Sequence, residues 1–118
     1  AGGRCTQNIG QFFDHAPIFG SLKSPATGDN NIAIGNAALD ANTTGTPNLA
    51  IGRNALGTCT TGTYNIGIGH SALAALTDGQ YNVAVGPDSA LSLTEGDSNV
   101  IMGYYSGNAI FQEMLRMP

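Results

Sequence analysis

Residues 64–73, YNIGIGHSAL, carry the two most chemically suggestive spacings in the chain. Gly67-Ile68-Gly69-His70-Ser71-Ala72 has the G-x-G-x-x-G/A spacing of a dinucleotide-binding turn, where glycines let the backbone approach a pyrophosphate. Overlapping it, Gly69-His70-Ser71-Ala72-Leu73 is one residue short of G-x-S-x-G, the sharp turn that exposes a nucleophilic serine; Leu73 stands where the last glycine belongs. Asp14-His15 adds an acid beside an imidazole, but no nucleophile or oxyanion arrangement can be argued around it, so a surface pair is the better reading. Each reading makes a demand on its surroundings. A dinucleotide turn needs a strand before it, a helix after it and an acidic residue about 20 positions on, at a strand end.

The surroundings answer with a repeat instead. Glycine recurs every 17 residues at Gly28, Gly45, Gly62, Gly79 and Gly96, and again at Gly35, Gly52, Gly69, Gly86 and Gly103. Asparagine keeps step at Asn31, Asn48, Asn65, Asn82 and Asn99. The common pattern is G-x-x-N-φ-a-φ-G-x-x-A-L, with φ aliphatic and a mostly small, followed by a short Thr-rich return. The fourth unit shifts Ala90-Leu91 by one position and the fifth lacks the pair. In this frame Gly67 takes the place of Ala33, Ala50 and Ala84, and Gly69 is the periodic turn glycine. His70-Ser71 aligns with Asn36-Ala37, Arg53-Asn54 and Tyr104-Tyr105, so the repeat requires neither side chain. The chain is expected not to be an enzyme and to hold no metal or cofactor.

Ile32-Ala33-Ile34, Leu49-Ala50-Ile51, Ile66-Gly67-Ile68, Val83-Ala84-Val85 and Val100-Ile101-Met102 alternate with period two and predict short strands. Ala38-Leu39, Ala55-Leu56, Ala72-Leu73 and Ala90-Leu91 supply a second apolar row. Seventeen residues are too few for a strand–helix–strand unit of about 30. They suffice for one coil of an all-β parallel β-solenoid or β-roll with two short strands, about five coils stacked roughly 4.8 Å apart. The aliphatic rows are expected inside, and the small residue between them on the other side, where another backbone can approach. The glycines suit turns that need positive φ or have no room for a Cβ. The asparagines suit an amide ladder.

Composition narrows the partners. The 118 residues suit one domain or a piece of a longer chain, and a start at Ala1 is what a cut or partial chain shows. Charged residues make up 10%, against about 25% in ordinary soluble domains, and the net charge is −4 with no Lys/Arg cluster. Nucleic acid and anionic membrane surfaces are therefore excluded as expected partners. No apolar run approaches the roughly 18 residues of a membrane-spanning helix. Cys5 and Cys59 have no metal-ligand spacing and can pair, pair between chains or stay free. The repeat acids (Asp29, Asp40, Asp78, Asp88, Glu95, Asp97) sit at turn positions without calcium-loop spacing. Asn42-Thr43-Thr44 is an N-glycosylation sequon. The Thr row (Thr43-Thr44, Thr60-Thr61, Thr77, Thr94) raises ice binding, but its threonines are adjacent rather than T-x-T and give way to Asp78 and Glu95.

Segments such as NNIAIGNAAL, PNLAIGRNAL and YNVAVGPDSAL resemble the head repeats of YadA-type trimeric autotransporter adhesins, and still more the Thr-Gly-spaced repeats of phage and viral tail fibres. The likeness covers residues 28 to about 107. It implies a left-handed parallel β-roll that assembles as a homotrimer about a fibre axis. The 17-residue period is slightly longer than in the bacterial heads, and the stalk, neck and barrel of those adhesins have no counterpart in this sequence. On this reading residues 1–27, rich in aromatics (Phe12, Phe13, Phe19), form an N-terminal cap or connector. Residues 28–107 form the β-roll, and 108–118 a C-terminal cap or the start of a helical stalk.

The expected function is structural: a trimeric rod of a viral tail fibre or bacterial adhesin, at the virion surface or outside the cell, presenting a host-binding face. The alternative is a self-assembling extracellular filament joined end to end through its flanks. A host-cell glycan or surface protein would meet the variable exposed positions Asn36, Arg53, His70 and Tyr104, with Tyr64 and Tyr81 from a neighbouring turn column.

Overall fold

The computed structural model describes Gly28 and residues 30–108. The cap and stalk expectations for residues 1–27 and for 109–118 lie outside the described residues. Five strands follow in order: β1 Ile32–Ile34, β2 Leu49–Ile51, β3 Ile66–Ile68, β4 Val83–Val85 and β5 Val100–Met102. They form one parallel sheet in the order β1-β2-β3-β4-β5, and every pairing has a register of 17: Ile32 lies beside Leu49, Leu49 beside Ile66, and so on to Val100. A parallel sheet whose neighbours are successive repeats is a β-solenoid, each coil stacked on the last.

The strand alternation is inverted relative to expectation. Ala33, Ala50 and Ala84 are fully buried, and Gly67 is buried with them, whereas Ile34, Leu49, Ile51, Ile66, Ile68, Val83 and Val85 are only half-buried. The small residues therefore point into the coil and the aliphatics point out. The reason is the second apolar row. Leu39, Leu56 and Leu73 are all 0% exposed and fill the narrow interior from the opposite wall. A Cβ added at Gly67 would lie 3.4 Å from Leu56 Cγ, so the strand has room there for nothing larger than alanine. Ala38, Ala55 and Ala72 accompany the leucines, and Cys59, Leu76 and Leu93 line the return of the coil.

That second row is not a strand. It is a turn with left-handed backbone at alternate residues: Ala37 and Leu39, Asn54 and Leu56, Ser71 and Leu73, Asp88 and Ala90, with φ between 49° and 64°. Such a conformation costs about 1–2 kcal/mol per non-glycine residue. It persists because the N–H groups it re-aims, Ala37 apart, find carbonyls on a neighbouring coil. Leu39, Leu56, Leu73 and Ala90 donate to Ala55, Ala72, Ser89 and Ser106 at 2.9–3.0 Å, while Asn54, Ser71 and Asp88 donate the other way, to Asn36, Arg53 and His70. Turning the leucine inward and closing the inter-coil ladder are one event.

The shifted fourth unit keeps the 17-residue register. Ala90 occupies the leucine column, and Ser89 enters the alanine column with its hydroxyl buried and unpartnered. Asn108, which the repeat pattern did not single out, closes the final coil. Its Oδ1 accepts from Ser92 N at 2.9 Å and its Nδ2 donates to Asp88 O at 2.9 Å.

The two glycine rows serve different needs. Gly35, Gly52, Gly69 and Gly86 leave the strands with φ of 125–130°, a region essentially confined to glycine. In the other row no Cβ fits at Gly28, Gly45, Gly62 or Gly79: at Gly62 it would come within 2.6 Å of Gly79 O, the carbonyl one coil along. The asparagine ladder joins the coils at that place. Asn48, Asn65, Asn82 and Asn99 each donate a backbone N–H to the side-chain Oδ1 of the asparagine one coil before, at 2.7–3.0 Å. The side-chain Nδ2 of Asn31, Asn48, Asn65 and Asn82 donates to Gly45, Gly62, Gly79 and Gly96 O at 2.7–2.9 Å.

Candidate functional site

The inverted alternation leaves an outward strand face carrying two aliphatic columns. One is Ile32, Leu49, Ile66, Val83 and Val100; the other is Ile34, Ile51, Ile68, Val85 and Met102. Exposure rises at the ends, to 42% at Ile32, 72% at Val100 and 64% at Met102. Two further columns continue the outward alternation beyond the strands. Asn30, Pro47, Tyr64, Tyr81 and Ser98 precede them, and Asn36, Arg53, His70, Pro87 and Tyr104 follow.

All six positions singled out as receptor-facing (Asn36, Arg53, Tyr64, His70, Tyr81 and Tyr104) are exposed. They do not form one patch, because the aliphatic face separates the two columns. On the preceding side Tyr64 and Tyr81 stack with ring centroids 5.1 Å apart and planes at 10°, as coil spacing dictates for identical residues one period apart. Below that stack a groove of about 290 Å³ opens over Pro47 and Leu49, walled by Tyr64, Ile66, Asn30 and Ile32. On the following side His70 Nδ1 lies 3.6 Å from Asp88 Oδ1, and Tyr104 packs against Tyr105 at 6.1 Å.

The serine and histidine of YNIGIGHSAL point apart in chemical terms. Ser71 is buried while His70 is exposed, and His70 has Asp88 rather than a serine as its partner. The sequon is also closed: Asn42 is 0% exposed and its Nδ2 donates to Gly45 O at 3.2 Å. Thr43, Thr60 and Thr77 direct their hydroxyls to the carbonyls of Thr60, Thr77 and Thr94, so this row is engaged in coil stacking. Among the described residues no three His, Cys, Asp or Glu side chains gather into a metal-sized cluster, and no helix is long and apolar enough to cross a membrane.

Cys59 is free and buried. Burial pushes its thiol up to about 11, against a backbone hydrogen bond from Gly62 that works the other way, and Asp78 adds to the rise. The folded value exceeds the unfolded value of 9.0, so the neutral thiol's contribution is intact below pH 9 and is lost as pH climbs from 9 through 11. Denaturation midpoints for the wild type and Cys59→Val should therefore diverge between pH 8 and pH 10.5. The wild type should lose about 2 kcal/mol more over that interval.

No family model, curated protein or solved structure matches this chain.

Proposed function

We propose that this chain is a structural module that assembles as a homotrimer, three left-handed solenoids side by side about an axis parallel to the coil stack, and that the trimer serves as the rod of an extracellular or virion fibre or adhesin. The observation that carries this reading is the outward face. Ten aliphatic side chains stand in two straight columns over five strands, on the one side of the sheet that the chain's own interior does not use. Contiguous apolar surface of this kind marks an interaction site. Its straightness suits a partner with the same 17-residue period, which a second copy supplies at every coil. Three as the number of copies, the handedness and the fibre role follow from the likeness of the repeats to adhesin heads and tail fibres.

The module has no catalytic part in this reading. Its hydrogen-bonded coils give axial stiffness, and those edge side chains that the seams between copies leave uncovered carry whatever host glycan or protein contact the rod makes.

Native mass spectrometry tests the assembly. The wild type should show three chains, and Ile51→Asp with Ile68→Asp should show one, because two carboxylates per chain would be buried without partners. Both side chains point away from the coil interior, so far-UV circular dichroism of the monomeric variant should keep the solenoid signal. A wild type that remains a single chain at micromolar concentration removes the reading, and open-ended growth would replace it with the end-to-end filament.

A further inference from the structure

Resting on the assembly just proposed, we infer that the groove over Pro47 and Leu49 is the seat of Arg53 from the neighbouring copy, with its guanidinium stacked on Tyr64. Rotation about an axis parallel to the coil stack preserves height along it. A ring closed head to tail brings the column preceding the strands of one copy against the column following the strands of the next. Equal heights then pair Pro47 with Arg53 and Tyr64 with His70.

The groove is centred on the coil of Pro47 and Leu49, the height at which the neighbour presents Arg53. It is walled by Ile32, Leu49 and Ile66, apolar side chains suited to the arginine's aliphatic stem. Tyr64 closes it on one side. One face of that ring is covered by Tyr81, which leaves the other turned toward the groove. A guanidinium stacks on such a face by both π contact and cation–π attraction.

Arg53 itself supplies the second line of argument. Among the described residues it is the only lysine or arginine, it is exposed, and its side chain makes neither an ion pair nor a hydrogen bond with any of them. The groove offers a cation site, and the opposite edge of the same face offers one unpaired cation at the matching height. The neighbouring copy's arginine is the occupant the chemistry selects.

Photo-cross-linking in the assembled protein reads this contact. Chains bearing p-benzoylphenylalanine at Tyr64 are refolded as a mixture of ¹⁴N- and ¹⁵N-labelled copies and irradiated. Adducts joining the two labels should map to residues 51–55. In a separate arm that keeps Tyr64, Arg53→Ala should raise the chain concentration at half-dissociation by roughly tenfold, since three such contacts close each ring. A trimer with no mixed-label adduct at those residues and an unchanged Arg53→Ala midpoint overturns the docking and leaves the trimer standing. A wild type found as a monomer overturns the assembly, and the docking with it.

Discussion

Asn65→Leu is expected to lower stability by about 4 kcal/mol, although leucine has the same heavy-atom branching as asparagine and is more apolar. Asn65 is fully buried in the middle of the ladder. Its Nδ2 donates to Gly79 O at 2.8 Å, and its Oδ1 accepts from Asn82 N at 3.0 Å and Asn82 Nδ2 at 3.1 Å. Asn82 Nδ2 retains Gly96 O at 2.7 Å when that side chain is lost, but Asn82 N and Gly79 O retain nothing. Two buried backbone groups are then orphaned, at about 1–3 kcal/mol each, and water cannot reach them through the stacked coils. Chemical denaturation followed by far-UV circular dichroism at fixed chain concentration gives the loss.

Asn65→Asp separates hydrogen bonding from packing in the same place. A neutral carboxyl can still donate to Gly79 O and accept from Asn82 N, whereas the carboxylate only accepts and faces a carbonyl. Burial raises the carboxyl's folded pKa above its unfolded value, so stability should be greatest at acid pH and fall as pH rises through the raised value. A loss independent of pH between 3 and 7 would mean that shape, rather than the donor, is what the ladder needs.

The ladder and both glycine rows could be read from the sequence because a solenoid translates period directly into contact. Residues 17 apart become neighbours, so Asn48 above Asn65 and Tyr64 beside Tyr81 follow from spacing alone. Which side of the strand faces inward could not be read that way. Ile66-Gly67-Ile68 says only that Gly67 opposes the isoleucines. The direction is decided by Leu56 and Leu73, which reach the interior because their backbone φ is 51° and 54°. Nothing in a leucine announces a left-handed conformation, which is normally found at Gly, Asn or Asp. On sequence alone the largest aliphatic rows are the natural filling for the interior, and the inversion makes them the candidate interface instead. The second apolar segment reads as a strand for the same reason. Asn108 lies outside the repeat pattern because Leu91, not an asparagine, stands 17 residues before it, although its role, an amide closing an open coil, is the one Asn31 through Asn99 already show.

The two glycines of GIGHSA should differ sharply in their response to alanine. At Gly69, φ is 127° and a Cβ would fall 2.6 Å from the carbon and oxygen of Gly86 and 2.9 Å from Pro87 N. Those atoms are backbone of the next coil, held in place by Gly86 N donating to Ile68 O at 2.8 Å, so neither can yield without opening the sheet. Backbone strain and steric overlap add, and Gly69→Ala should cost about 4 kcal/mol or more. Gly103 isolates the first of these contributions. Its φ is 111°, but the nearest atom to its Cβ would be Ser106 Cβ at 3.7 Å, so Gly103→Ala should cost only the conformational part, about 1–3 kcal/mol. Gly67 has neither problem. Its neighbours along the sheet are Ala50 and Ala84, and its Cβ would meet Ala72 O at 3.1 Å and Leu56 Cγ at 3.4 Å. Gly67→Ala should stay within about 1 kcal/mol of wild type, helped by the lower entropy of its unfolded chain. Thermal and denaturant midpoints for the three variants should rank Gly67→Ala above Gly103→Ala above Gly69→Ala. A dinucleotide turn would need small residues at both Gly67 and Gly69 for a ligand's approach, with little effect of either on the empty fold. A solenoid needs only Gly69, and needs it whether or not anything is bound.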